Sequence, residues 1–202
     1  MNVLERFGRL RVWLALLLVL ALPAQTALAQ WELDSDSASI DFISIKNGVV
    51  GEAHRFKAAS GSIGTSGSVQ VDIDLNSVET LIDIRNERMR ELLFKTAQFP
   101  TATINAQIDS DTLAAVAAGG TASVEVPVTL ALHGVEKTLN VALMAIGNAE
   151  RDIRVFTVRP VLVSASQFGL DDGITALQKI AGLSAISTVV PVTLNLVFTH
   201  TE

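Results

Sequence analysis

The stretch Ser-Gly-Ser-Val-Gln-Val-Asp-Ile-Asp, residues 66–74, decides the fold class of this chain. Val69, Val71 and Ile73 alternate with polar side chains. A period of two with one polar face predicts a half-buried antiparallel strand. We expect the apolar face to point inward, because a slip of one residue would bury Asp72 instead.

The same alternation recurs in residues 101–108, 121–132 and 192–199. Its expected inward-facing residues include Ile104, Val124, Val126, Val128, Leu194, Leu196 and Phe198. Less regular strands are predicted for residues 39–46, 49–57, 60–64, 137–145 and 152–163. Together these segments give about eight strands, joined in places by tight turns.

Turn signals support an antiparallel arrangement. Asn47-Gly48 and His133-Gly134 lie between strand segments, where a positive φ suits a hairpin. Many short strands with little helix predict an all-β fold, either a sandwich or a closed barrel. The pattern alone does not choose between them, although a small barrel can hold one small ligand.

Two segments break the strand pattern. Residues 85–94 are rich in strong helix formers, and Asp83 is a predicted N-cap. Residues 174–181 predict a second short helix, capped by Asp171 or Asp172 and ended by Gly182. No structure is predicted for the small-residue connection at 111–120.

The first 29 residues predict a cleaved signal peptide. A basic segment with three arginines precedes an apolar run at residues 12–22, and Ala27-Leu28-Ala29 offers a cleavage site before Gln30. The run is shorter than the about 20 apolar residues that a membrane span needs. The sequence therefore predicts an exported protein with one domain, residues 30–202, and no stable membrane insertion after cleavage; the periplasm is the compartment that the family resemblance given below implies.

The composition of the mature chain limits the classes of molecule that it is expected to bind. Three of the chain's 15 basic residues and one of its 21 acidic residues lie in the leader, so residues 30–202 carry a formal charge of −8. This charge argues against nucleic acid and against anionic membrane surfaces as partners. The chain has no cysteine, so its stability must come from packing, which a domain of this size can supply.

No catalytic group emerges from the sequence. The three histidines fit no metal-binding spacing, and of these His54 alone lies in an apolar strand. There is no cysteine nucleophile and no G-x-S-x-G motif. We therefore predict no catalytic residue, no metal site and no cofactor.

A basic cluster at Arg85, Arg88 and Arg90 has two interpretations. Glu87 and Glu91 lie at helical pairing distance, so the cluster can be a solvated, self-paired helix face. Alternatively, one or two of the arginines bind an anionic head group or support the mouth of a barrel.

Motifs along the mature chain resemble the YceI-like family of bacterial periplasmic polyisoprenoid-binding proteins. They are Trp31-Glu32-Leu33-Asp34, Ser39-Ile40-Asp41-Phe42, Phe56 with Gly61-Ser62-Ile63, Ser77-Val78-Glu79-Thr80 with Arg85-Asn86, Phe94 with Phe99-Pro100, Leu130-Ala131-Leu132-His133-Gly134-Val135-Glu136-Lys137, and Ser164-Ala165-Ser166-Gln167-Phe168-Gly169-Leu170. The chain departs from the family at Asn86, where Asp is usual, and at Ser166 and Gln167, which replace Arg and Asp. These departures affect head-group contacts more than the fold.

The resemblance implies an eight-stranded antiparallel lipocalin-like barrel with one or two short helices. It also implies a carrier that sequesters an isoprenoid lipid, a quinone or a polyprenyl chain, in an apolar bore. The residues expected to contact it are Phe42, Val71, Ile73, Ile104, Val126, Val128, Val141, Leu143, Phe168, Leu177, Ile180, Leu194 and Leu196. The alternative function is an enzyme, a hydrolase or isomerase acting on a lipophilic small molecule, and a homodimer stays open.

The connection at residues 169–187 is long for an antiparallel hairpin, where two to five residues are common. We expect it to cover one barrel mouth, as a lid that moves at Gly169, Gly173 and Gly182 or as a static plug. Residues 85–94 are expected to close or support the other connection.

Overall fold

The computed structural model describes residues 29–201, so the predicted leader lies outside the described residues except for Ala29. The described chain contains β1 (Ala29–Leu33), β2 (Ser39–Lys46), β3 (Val50–Phe56), β4 (Ala59–Gly64), β5 (Ser68–Asp74), β6 (Val78–Glu79), β7 (Thr101–Gln107), β8 (Thr121–Leu132), β9 (Val135–Gly147), β10 (Ile153–Thr157), β11 (Val161–Ser164) and β12 (Val189–His200).

Eight of these strands close an antiparallel barrel. Their order is β1-β4-β5-β7-β8-β9-β10-β12, and β12 pairs back to β1. The remaining strands lengthen the wall at one end, where β2 and β11 flank the first half of β12 and β3 and β6 follow β2. The structure confirms the all-β, eight-stranded antiparallel barrel.

The lengthened wall defines the mouth end of the barrel. Two helices lie there: α1 (Asp83–Arg88), which continues as a π-helical segment at Met89–Phe94, and α3 (Asp171–Ala181). The opposite, closed end carries α2 (Ser110–Ala117), which contacts β8 and β9. Residues 29–201 thus contain three short α-helices rather than one or two.

The helix α2 was missed at the 111–120 connection. Asp109 caps it, accepting a hydrogen bond from the backbone N–H of Thr112 at 2.9 Å. Alanine has the highest helix propensity, so the alanine-rich segment needs only this cap and the buried pair Leu113 and Val116 to form a helix.

The predicted caps of the other helices are wrong. Asp83 and Asp171 lie inside the first turn, after N-cap residues Ile82 and Leu170 that make no side-chain cap bond. A carboxylate in the first turn is still favourable because it faces the positive end of the helix dipole. The predicted end of the last helix is correct, since Gly182 adopts a left-handed φ of 63°.

One predicted strand, residues 152–163, is two strands. The break between β10 and β11 contains Pro160, which has no backbone N–H for a sheet ladder. Both hairpin predictions hold, because Asn47-Gly48 and His133-Gly134 all have positive φ. The predicted inward faces also hold, with Val71, Ile73 and other members of the sets buried.

The closed end is sealed by packed side chains. Trp31 and Phe198 are buried there, and the indole N–H of Trp31 donates to the carbonyl of Arg151 at 2.7 Å. Gly147 of β9 approaches α2 so closely that a Cβ would overlap the Val116 carbonyl oxygen. Within residues 29–201, no helix is both long and apolar enough to cross a bilayer.

An apolar bore with a polar mouth

A cavity of about 470 Å³ occupies the mouth-end half of the barrel. Its wall consists mostly of aliphatic and aromatic side chains. A second cavity of about 100 Å³ lies nearer the closed end, among side chains that include Leu113, Val116 and Phe198. The two share Ile104, Val128, Val141 and Leu194, and are therefore consecutive sections of one bore.

Most of the residues predicted to contact a ligand line this bore. Phe42, Ile73 and Leu177 line the larger cavity, Val71, Leu143 and Leu196 the smaller one, and Ile104, Val128, Val141 and Leu194 both. The strand alternation brings them together, because every second residue of each strand faces the barrel interior. Their contact with a ligand stays a prediction.

Three of the predicted contacts lie outside the lining of both cavities. Val126 is buried in a cluster with Val128 and Val141. Phe168, in the segment that leads into α3, is fully buried in a separate hydrophobic cluster. Ile180 is 47% exposed, because six residues after Ile174 a helix has turned its side chain away from the buried stripe.

The inward faces of β2 and β3 change from apolar to polar toward the mouth. Along β2, Phe42 is followed by Ser44 and Lys46, and all three line the larger cavity. Along the paired β3, His54 lies opposite Phe42 and Glu52 opposite Ser44. The prediction from sequence missed these polar lining residues, although extending the period of two along residues 39–46 would have found Ser44 and Lys46.

Hydrogen bonds join the polar groups into a mouth cluster of Ser44, Lys46, Glu52, His54 and Arg85. The Glu52 carboxylate accepts from Lys46 Nζ at 2.8 Å and from Arg85 Nη1 at 2.7 Å. These two cations lower the pKa of Glu52, the Lys46 hydrogen bond having the largest effect. Ser44 Oγ lies 2.9 Å from His54 Nε2.

Two atoms of the mouth cluster are buried without a hydrogen-bond partner among the described residues: Arg85 Nε and His54 Nδ1. Burial lowers the pKa of His54 below its usual 6.5, and the nearby Arg85 charge lowers it further. His54 is therefore neutral at pH 7. An unpaired buried polar group costs about 1–3 kcal/mol, so these two atoms are suited to a polar group that enters the bore.

The turn before α1 is held by side chains, and we call residues 79–86 the clamped turn. Asn86 Oδ1 accepts from the Thr80 backbone N–H at 2.8 Å and from its hydroxyl at 2.6 Å. Glu79 accepts from Asn86 Nδ2 at 3.0 Å and from the Leu81 backbone N–H at 2.6 Å. The bond from Asn86, followed by that from Lys57, lowers the pKa of Glu79 to about 2.

Arg85 links this turn to the bore. Its Nη2 donates to the Thr80 carbonyl at 2.6 Å while its Nη1 bonds Glu52 on β3. Of the basic cluster predicted from the sequence, Arg85 and Arg88 line the larger cavity, and Arg90 does not. The interpretation that places arginines at the barrel mouth is thus the one that the structure favours for the first two.

Both long connections lie at the same end of the barrel. The helix α3 packs on the π-helical segment, and a Cβ on Gly173 would come within 2.7 Å of Leu93 Cα. Gly173 is therefore a close-contact position, and the lid or plug role of residues 169–187 stays a prediction. Residues 85–94 pack against α3, which is consistent with the predicted support of that connection.

A family model for the YceI-like domain matches residues 31–198. The chain belongs to the YceI-like family. The family's Asp position is Asn86 here, and its amide oxygen accepts both hydrogen bonds from Thr80. The replacement keeps the acceptor and adds a donor, which Glu79 uses.

Solved structures of other proteins show the same fold. A polyisoprenoid-binding domain from Saccharophagus degradans, implicated in plant cell wall breakdown, is 38% identical, with a TM-score of 0.83 over 86% of this chain and 100% of that one. BcnA from Burkholderia cenocepacia is 20% identical, with a TM-score of 0.61 over 82% of this chain and 98% of that one. A search of curated proteins found no match.

Proposed function

We propose that this protein is an exported, non-enzymatic carrier that sequesters an isoprenoid lipid in its bore. One observation carries the proposal: an apolar bore leads to a mouth cluster with two unpaired buried polar atoms, Arg85 Nε and His54 Nδ1. This polarity matches a long hydrocarbon chain with one oxygen-bearing head. The 38% identical Saccharophagus degradans domain is described as polyisoprenoid-binding, which supports the same ligand class.

The bore supplies the affinity for the chain. Isoprenoid carbons that leave water for the space between side chains such as Phe42, Ile104 and Leu194 gain about 25 cal/mol per Å² of apolar area. The apolar wall is held open by the barrel ladder, so little protein reorganisation opposes binding. The second section of the bore gives a long chain room beyond the first.

The mouth cluster supplies the recognition of the head group. Arg85 Nε–H is a charged donor that requires an acceptor oxygen, and neutral His54 offers one donor or one acceptor at Nδ1. A quinone carbonyl and a polyprenyl phosphate both present such an oxygen. Because hydrogen bonds to charged groups are stronger than neutral ones, Arg85 should dominate the head-group contact.

Export is part of the proposal. The leader at residues 1–29 has the charge, apolar run and small-residue cleavage site of a signal peptide. The mature protein then begins at Gln30 and works in the periplasm. N-terminal sequencing of periplasmic material tests this point, and a protein that retains residues 1–29 would contradict it.

Equilibrium binding tests the proposed ligand. Delipidated mature protein is mixed with a long-chain ubiquinone or a polyprenyl phosphate, and the bound lipid is measured after size exclusion. We expect Arg85→Gln to weaken binding of the preferred lipid at least about tenfold. The matched control is Arg55→Gln, because Arg55 makes only a 3.7 Å pair with Asp41 and does not line the bore.

Binding of neither lipid by the wild-type protein would contradict the carrier proposal. Equal binding by the wild type and Arg85→Gln would leave the bore as the lipid site but remove Arg85 from head-group recognition. The two unfolding curves must be compared as well, because loss of the Thr80 bond can loosen the clamped turn.

A second candidate function, ester hydrolysis, rests on the Ser44–His54 contact at 2.9 Å, which has the reach of a nucleophile and its base. His54 Nδ1 lacks the carboxylate that orients the base in a complete triad, since Glu52 bonds Lys46 and Arg85 instead. Hydrolysis of a lipophilic ester by the wild type that is lost in Ser44→Ala would favour this function over the carrier.

A further inference from the structure

Exposed apolar side chains surround the mouth of the bore. Val49 is 84% exposed on the β2–β3 turn, and Leu81 is 89% exposed in the clamped turn. Ile82, Ile84 and Ile180 are also exposed, and the first two line the cavity as well. We call these five residues the apolar rim.

Hydrogen bonds hold the rim together. Asn47 lies in the β2–β3 turn and bonds the segment after α3. Its side-chain oxygen accepts from the Ser184 backbone N–H, and its own backbone N–H donates to the Ala185 carbonyl, each at 2.9 Å. Arg85 bonds the clamped turn to β3. Since the three parts of the rim are fixed to one another, their side chains present one surface around the opening.

The conformation of Leu81 adds an independent observation. Its φ of 62° lies in the left-handed region, which an L side chain adopts only at a cost in free energy. The Glu79 carboxylate holds it there by accepting the Leu81 backbone N–H at 2.6 Å. The turn is thus built to keep a large apolar side chain in solvent, which folding alone does not require.

Charge around the opening differs from that of the whole protein. The charged residues that line the cavity are three cations and one carboxylate, Lys46, Arg85, Arg88 and Glu52. Exposed Asp83 and Lys179 beside them carry opposite charges. The lining of the mouth therefore carries two more cations than carboxylates, whereas the exposed faces of the same helices add the carboxylates of Glu87, Glu91, Asp171 and Asp172. Among residues 29–201, Arg88 has no carboxylate within ion-pair distance.

We infer that the apolar rim docks reversibly on a phospholipid bilayer, so that the mouth of the bore opens directly into the membrane. The inference rests on the proposed carrier function, because a bilayer is where an isoprenoid lipid is taken up and released. The rim side chains enter the interface, and Arg88 and its neighbours face the lipid phosphates.

Vesicle co-sedimentation tests the docking surface. The mature protein is mixed with vesicles of equal parts phosphatidylglycerol and phosphatidylcholine, or of phosphatidylcholine alone. We expect the Leu81→Ser/Ile180→Ser variant, in which both changed residues belong to the rim and neither lines the cavity, to bind either kind of vesicle at least about tenfold more weakly than the wild type.

The matched control is Leu162→Ser/Ile146→Ser. Both residues are exposed apolar side chains of the same types as the two changed in the rim variant. Leu162 lies on the outer wall, and Ile146 lies near the closed end. This control should bind vesicles as the wild type does. Equal loss in both double variants, or no vesicle binding by the wild type, would overturn the docking inference.

Two further readouts separate the alternatives. Ubiquinone binding in the absence of vesicles should be the same in the rim variant and the wild type, and its absence from both would defeat the carrier proposal without touching the docking result. Sedimentation analysis of the protein alone reports self-association. A dimer that the rim variant abolishes, without vesicle binding, would assign the rim to a second copy and overturn the lipid surface.

Discussion

At the closed end of the bore, α2 packs so tightly on β9 that Gly147 has no room for a Cβ, whereas at the mouth end Gly182 has open space around its Cα. The cavity near the closed end measures about 100 Å³ and the one near the mouth about 470 Å³. Among the described residues, charged side chains line the larger cavity and not the smaller one, and the apolar rim surrounds the opening of the larger cavity. One barrel thus has a tightly packed end and an open end, and it is at the open end that we propose the ligand enters.

The largest expected effect is the difference in stability between alanine substitutions at Gly147 and Gly182. Gly147→Ala forces a Cβ onto the Val116 carbonyl oxygen and should lower the free energy of unfolding by about 3 kcal/mol or more. Gly182→Ala meets no atom and pays only for a left-handed alanine, about 1 kcal/mol. Urea unfolding of both variants measures the difference. Equal losses would mean that the two ends are packed alike.

A tryptophan substitution in each section of the bore tests how much free space the two sections contain. Leu130→Trp places a larger side chain in the wide section of the bore, the cavity of about 470 Å³. Because this cavity has room for the indole, the free energy of unfolding should change by less than about 1 kcal/mol, while lipid affinity falls at least about tenfold. Leu113→Trp, in the narrow section, should cost about 1–3 kcal/mol. If Leu130→Trp is as destabilising as Leu113→Trp, the wide section is a packed core rather than a ligand cavity.

The helix α3 offers a test with a smaller effect. Leu177 lines the cavity and Ile180 is exposed, so the two side chains separate contact with the ligand from surface chemistry. We expect Leu177→Ser to release lipid about fivefold faster with the fold retained, as in a lid. Ile180→Ser should stay within about 0.5 kcal/mol of the wild type in stability. A loss of about 3 kcal/mol in Leu177→Ser would indicate a static plug instead.

The smallest effect concerns pH and the clamped turn. The pKa of Glu79 falls from 4.5 to about 2 on folding, so its contribution to stability is complete above pH 4.5 and is lost as the pH falls through about 2. Unfolding curves between these pH values should therefore be less steeply pH-dependent in Glu79→Gln than in the wild type. An unchanged pH dependence would remove Glu79 from the hydrogen-bond network that holds Leu81.

The sequence predicted the barrel because alternation is a local signal. The alternation at Val69, Val71 and Ile73 predicts which side of the strand faces inward. Closure of the sheet into a barrel was predicted from the family motifs, because alternation alone does not distinguish a barrel from a sandwich. The helix α2 escaped prediction because its alanines carry little amphipathic signal, and its position depends on the contact of Val116 with Gly147, distant in the chain.

The mouth was harder to predict from sequence than the bore. Glu52 and Arg85 are 33 residues apart, and only the folded chain brings them within 2.7 Å. Ile180 was assigned to the ligand because it is apolar and helical, although its position on the helix turns it toward solvent. Leu81 gave no signal at all, since its exposure results from the bonds of the clamped turn rather than from its own residue type.

Mass spectrometry of the lipid extracted from purified mature protein tests the carrier account most directly. Wild-type protein and Leu130→Trp are purified in parallel from the periplasm and extracted with organic solvent. The account predicts an isoprenoid lipid at near-stoichiometric amount in the wild-type extract and a strongly reduced amount from the variant. An extract without isoprenoid lipid, from wild-type protein that also takes up neither ubiquinone nor polyprenyl phosphate, would contradict it.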